Sequence, residues 1–88
     1  MEIKKNSSAG TLESNDCLIR LESNDDVEIV LNSPVEYEFG DQIRKVVNDV
    51  LKESEIDGAK VVIEDRGALD CTIAARLKTA IGRAQWRL

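Results

Sequence analysis

Cys17, Ile19 and Leu21 recur at a period of two, and Val27, Ile29 and Leu31 repeat the pattern ten residues on. Alternation of this kind is the signature of strands with one buried face. Asn and Asp tolerate left-handed backbone and bond their own main chain. Asn15-Asp16 therefore reads as a tight turn, and residues 9–22 as a β-hairpin with Ser14 at its tip. A second turn at Ser23-Asn24-Asp25-Asp26 leads into the next strand, so the first third of the chain predicts a three-strand meander.

The period then changes. Val35, Phe39, Ile43, Val46, Val47, Val50 and Leu51 follow the 3.6-residue repeat of an amphipathic helix, predicted over 34–54. Ser33, Pro34 and Glu36 form a capping box at its start. Gly40 costs about 1 kcal/mol relative to Ala inside a helix, so a start at Gly40 with Asp41 in the first turn is the alternative. Ile56-Asp57-Gly58 breaks the chain, and Val61-Val62-Ile63 lies in a strand over 59–64. Asp65-Arg66-Gly67 turns it again. A second helix, 69–85, starts at the N-cap Asp70 and lines up Ile73, Leu77, Ala80, Ile81 and Ala84. Arg83 and Arg87 suit the negative end of its dipole.

The element order is β-β-β-α-β-α. Neither helix can bury its stripe alone, so both are expected on one face of a mainly antiparallel sheet, an α+β fold. Eighty-eight residues are one domain's worth. We take 1–88 as a single domain with polar residues 1–8 as a loose lead-in.

Charge narrows the function. A net charge of −5 disfavours nucleic acid and anionic membranes, both of which need concentrated basic surface. No apolar run is long enough to span a bilayer or serve as a signal sequence, which points to the cytoplasm. The absence of histidine removes the usual general base and the commonest metal ligand. Two cysteines, Cys17 and Cys71, make a weak zinc case. They are compatible with a disulfide but fit better as half-buried packing thiols. Carboxylate pairs such as Glu13 with Asp16, Asp25 with Asp26 and Glu64 with Asp65 read as solvated loop charges. Asn24-Asp25-Asp26 with Glu28 lacks the rest of a calcium loop. Lys4-Lys5 reads as a solvated pair.

The pentapeptide Leu-Glu-Ser-Asn-Asp occurs twice, at 12–16 and 21–25. Local chemistry alone does not separate Ser14 from Ser23. The residues up to this point describe an acidic, non-catalytic α+β domain with two serine-bearing turns.

Longer stretches add a resemblance. Met1-Glu2-Ile3-Lys4-Lys5, Ala9-Gly10-Thr11-Leu12-Glu13-Ser14-Asn15-Asp16-Cys17, Phe39-Gly40-Asp41-Gln42-Ile43-Arg44, Ala59 to Cys71, and Ala75-Arg76 occur in that order. Together they resemble the acyl carrier protein, or gamma subunit, family of citrate lyase, with Trp86-Arg87-Leu88 the least typical stretch. The resemblance implies that Ser14 carries 2'-(5''-phosphoribosyl)-3'-dephospho-CoA through a phosphodiester. The second copy lacks the preceding Ala-Gly-Thr, so the role does not pass to Ser23. It also implies a prosthetic-group transferase and two enzymatic partners. The alpha subunit exchanges acetyl for citryl on the arm's thiol, and the beta subunit cleaves citryl to oxaloacetate and restores acetyl. The carrier subunit of malonate decarboxylase is the alternative within this class, and a plain adaptor domain the alternative outside it. A carrier role predicts that the tip, residues 13–16, stays open to solvent and exchanges its amide hydrogens quickly.

Overall fold

The structure is a computed structural model and describes residues 3–85. Its elements are β1 (Ser7–Gly10), β2 (Cys17–Glu22), β3 (Val27–Asn32), α1 (Glu36–Glu53), β4 (Ala59–Asp65) and α2 (Asp70–Gln85). The expected element order is present. The four strands form one sheet in the order β1-β2-β4-β3. β1 with β2 and β2 with β4 pair antiparallel, while β3 with β4 is parallel. The sheet is therefore mixed but mainly antiparallel.

The expected meander is not formed, because β4 sits between β2 and β3. Val61, Val62 and Ile63 are all buried. A strand without a polar face is best accommodated where it has neighbours on both edges. The 23–26 connection passes over the start of β4, and the Ala59 N–H donates to the Asp26 carbonyl at 3.1 Å. β3, α1 and β4 thus make a parallel crossover unit.

Both helices cover the sheet face that carries Cys17, Ile19, Leu21, Val61 and Ile63, and they pack against each other. α1 contributes Ile43, Val47, Val50 and Leu51; α2 contributes Ile73, Leu77, Ala80, Ile81 and Ala84. On the other face Arg20 and Val30 meet solvent.

Several local expectations are corrected. α1 starts at Glu36 and includes Gly40, which is buried; its N-cap is Val35, with no side-chain cap. Ser33 precedes that cap by two residues: its hydroxyl donates to Asp65 Oδ2 at 2.7 Å and accepts the Val35 N–H at 3.2 Å. Asp65 is only 3% exposed and also accepts the N–H groups of Gly67 and Ala68, at 3.2 and 2.9 Å. A buried carboxylate needs such donors. α2 starts at Asp70 itself, with the Leu69 carbonyl accepting from Thr72 and Ile73. Phe39 belongs to the periodic stripe yet is exposed, and so is Cys71; Cys17 is buried and both thiols are free. The lead-in is engaged early, since Ile3 is buried and β1 begins at Ser7. Arg83 does more than balance a dipole: Nη1 donates to the Ser8 carbonyl at 2.8 Å. Arg87 and the Trp86–Leu88 tail lie outside the described residues.

Candidate functional site

The loop between β1 and β2, residues 11–16, is the hairpin tip that the sequence predicts. Gly10 opens it at φ 103°, and a Cβ there would overlap the Cys17 carbonyl oxygen. Only glycine fits such a combination of positive φ and close backbone approach. The Thr11 N–H closes the loop onto the Cys17 carbonyl at 3.1 Å, and the Asp16 N–H bonds the Glu13 carbonyl at 3.2 Å. Asn15 takes φ 66°, the left-handed conformation Asn tolerates.

Two distant segments hold the loop in place. The turn after β4 brackets it: the Asn15 N–H donates to the Arg66 carbonyl at 2.8 Å, and the Arg66 N–H to the Asp16 carbonyl at 2.9 Å. From α2, Arg76 reaches Asp16 with both edges of its fork, Nε to Oδ1 at 3.0 Å and Nη2 to Oδ2 at 2.9 Å. Asp16 further accepts from the Thr11 hydroxyl at 2.7 Å and the Cys17 N–H at 2.7 Å. The Arg76 guanidinium first, then Thr11 and the Cys17 N–H, hold the Asp16 carboxyl well below its usual range. The same contact raises Arg76. Behind the tip, burial and the negative charges of Asp16 and Asp65 push the Cys17 thiol up to about 11, which suits packing rather than nucleophilic chemistry.

Ser14 is exposed at the apex, and its side chain makes no hydrogen bond to another described residue. Its exposed neighbours are Leu12, Glu13, Asn15 and, from the bracketing turn, Arg66. The result is a primary hydroxyl open to solvent on a pinned scaffold.

Ser23 is exposed as well, but its setting differs. The first pentapeptide copy is loop from the start, with Leu12 half in water; the second begins in β2, with Leu21 fully buried. Asp16 is clamped by Arg76, whereas Asp25, its counterpart, is exposed. The strand between them spans 6 residues, roughly 20 Å at about 3.3 Å per residue, so the two serines mark opposite ends of the sheet. Among the described residues no group of His, Cys, Asp and Glu is arranged to hold a metal, the Asn24–Glu28 turn included. No helix among them is long and apolar enough to cross a membrane.

Comparison with known proteins supplies the family. The sequence pattern of the acyl carrier family described as Malonate decarboxylase delta subunit (MdcD) matches residues 4–84. The chain belongs to this family. It is accordingly a non-catalytic acyl carrier subunit of a multi-subunit complex. The citrate lyase acyl carrier protein of Treponema denticola is 54% identical over 84 residues, covering 96% of this chain and 97% of that protein. Its namesake from Rhodopseudomonas palustris is 53% identical over 85 residues, covering 96% and 88%. Among solved structures, a chain of a Pseudomonas malonate decarboxylase hetero-tetramer in complex with malonate superposes with a TM-score of 0.72. Identity there is 14%, covering 96% of this chain and 88% of that one, so this likeness speaks for the fold.

Sequence reasoning placed the tip but missed its clamp. Asp16 was expected to be a solvated loop charge; it is the centre of the loop's hydrogen bonding. Nothing near Asp16 in sequence signals this, because its partner Arg76 is 60 residues away.

Proposed function

We propose that this chain is the acyl carrier subunit of a citrate lyase, bearing 2'-(5''-phosphoribosyl)-3'-dephospho-CoA on Ser14 Oγ through a phosphodiester. The observation that carries the reading is the near-full-length identity of 54% to a citrate lyase acyl carrier protein. The geometry of the tip supports it. An attachment hydroxyl must be reached by a transferase and then swing its load between two enzymes, which calls for an exposed apex on a rigid base. Ser14 offers an exposed oxygen that makes no hydrogen bond to another described residue.

Within that reading the chain's own residues have positional roles. Gly10, Asn15, Asp16 and Arg76 shape and hold the loop. Arg76 neutralises Asp16, so an anionic ester at Ser14 meets one fewer uncompensated carboxylate. When attached, the arm supplies the reactive thiol that the protein does not use from its own side chains, and its tether raises the local concentration of acyl group at each partner in turn. The partners are the acyl-exchanging alpha subunit, the citryl-cleaving beta subunit and the arm-transferring enzyme, all cytoplasmic. Malonate decarboxylase is the second reading, favoured by the family description; the near-full-length identity of 54% ranks citrate lyase first.

The experiment is co-expression with the arm-transferring enzymes followed by intact and peptide mass measurement. One CoA-like group is expected on the peptide containing Ser14. Ser14→Ala removes it and abolishes citrate cleavage in the reconstituted complex, while Ser23→Ala keeps both. Modification of Ser23, or full activity of Ser14→Ala, overturns the assignment.

A further inference from the structure

Between the first halves of α1 and α2 lies an open groove of about 600 Å³, whose lining includes Phe39, Ile43, Leu69 and Cys71. Phe39 is 56% and Leu69 69% exposed. Large apolar side chains gathered around a concavity mark a contact surface more than scattered ones do. The groove adjoins the turn that holds the Ser14 loop. Its residues Ala68 and Leu69 directly follow the Arg66-Gly67 turn that brackets Asn15 and Asp16. A protein bound in the groove therefore sits beside the turn that brackets the Ser14 loop.

Charge decides what fits there. Asp70 lines the groove and is joined to Gln42 by a 3.0 Å hydrogen bond. Glu38 lies one turn before Gln42 on the same side of α1 and is exposed and outside every salt bridge among the described residues. An arm bearing phosphates would be repelled by these two carboxylates. A second copy of a chain of net charge −5 would bring the same carboxylates to the contact. An apolar side chain flanked by lysine or arginine satisfies both the groove and its rim.

We propose that this groove docks an enzyme subunit of the chain's own complex, receiving an apolar side chain with basic neighbours beside the turn that brackets the Ser14 loop. The proposal rests on the carrier reading above. Cys71 reports on it directly, because it lines the groove and is exposed, while Cys17 is buried.

The test mixes the purified chain, with and without its arm, with the separate alpha and beta subunits of a citrate lyase. Alkylation of Cys71 by iodoacetamide is followed by peptide mapping, and affinity by sedimentation. Binding of at least one subunit is expected to slow Cys71 alkylation at least tenfold. Phe39→Ala combined with Leu69→Ala is expected to raise the Kd at least tenfold, and Val30→Ala on the opposite sheet face to leave it unchanged. Added salt should weaken the wild-type complex more than one carrying Glu38→Gln and Asp70→Asn. Association with Cys71 still fully reactive, and with groove variants within twofold of wild type, overturns the docking proposal alone. Protection of Cys71 by the arm, or by self-association of the chain, overturns it too. Failure of the wild-type chain to bind either subunit overturns the citrate lyase reading and this proposal together.

Discussion

Arg76 holds Asp16 through two parallel hydrogen bonds, of 3.0 and 2.9 Å, and so ties the serine-bearing loop to the second turn of α2. A forked guanidinium–carboxylate pair fixes orientation as well as distance. The tip is therefore restrained by a residue that no turn rule would associate with it.

The pair gives a pH prediction. Asp16 ionises in the folded chain well below its ordinary value of 3.8. A depressed carboxyl stabilises the fold fully above that ordinary value, and the contribution is lost as pH falls through the lower native value. The carboxyl carbon of Asp16 should thus show no titration in NMR down to pH 3. In Arg76→Gln its midpoint should return toward the usual carboxylate range, with the resonances of 11–16 moving together. A normal Asp16 titration in the wild type would show that the pair does not persist in solution.

Hydrogen exchange should resolve the tip residue by residue. Uniformly fast exchange over 13–16 is not what the structure supports, because the Asn15 and Asp16 amides are donated to Arg66 and Glu13. Ser14 is expected to exchange fastest, Asn15 and Asp16 at least tenfold slower, and residues 43–51 slowest of all. Equal rates at Ser14 and Asn15 would mean that the bracket from the β4–α2 turn is open.

Two glycine substitutions should act in opposite directions. At Gly10 a methyl group meets the Cys17 carbonyl and the backbone has φ 103°, so Gly10→Ala should destabilise by about 1–3 kcal/mol from backbone strain, with the overlap adding to that. At Gly82 nothing lies near the added carbon, and Gly82→Ala should stabilise α2 by roughly 0.5–1 kcal/mol. Urea midpoints measure both, and a stabilised Gly10→Ala would contradict the hairpin geometry.

Core and groove residues should likewise separate. Leu77 is fully buried, so Leu77→Ala should cost about 2–5 kcal/mol. Phe39→Ala should stay within about 0.5 kcal/mol. Each kcal/mol corresponds to roughly 4–8 °C in Tm at this size, so thermal unfolding distinguishes them. A large loss at Phe39 would make it a core residue and remove it from any docking surface.

The elements themselves were legible because each repeats its period several times: Cys17, Ile19 and Leu21 for β2, or Ile73, Leu77 and Ala84 for α2. Strand order was harder, since pairing depends on partners far away in sequence. One sign was available. Val61-Val62-Ile63 has no polar alternate, which is how a central strand reads, yet contiguity along the chain suggested a meander instead. The Ser33 capping signal failed for a different reason: the helix caps at Val35, two residues further on, and the Ser33 hydroxyl accepts the Val35 N–H while donating to Asp65. At the site, the turn chemistry of Asn15-Asp16 was readable and the serine apex with it. The duplicated pentapeptide could not reveal that one copy is loop and the other half strand, nor that only the first meets an arginine.

The central position of β4 sets an order of assembly. A ribosome-bound chain that has not yet delivered residues 59–76 lacks the strand that joins β2 to β3, the Arg66 backbone that grips Asn15, and the arginine that grips Asp16. Such a chain already displays Ala9 to Asp16 as letters, but not as a shape. The serine acquires its finished surroundings only once residue 76 has been delivered, so an enzyme that reads the shaped loop thereby inspects the assembled sheet.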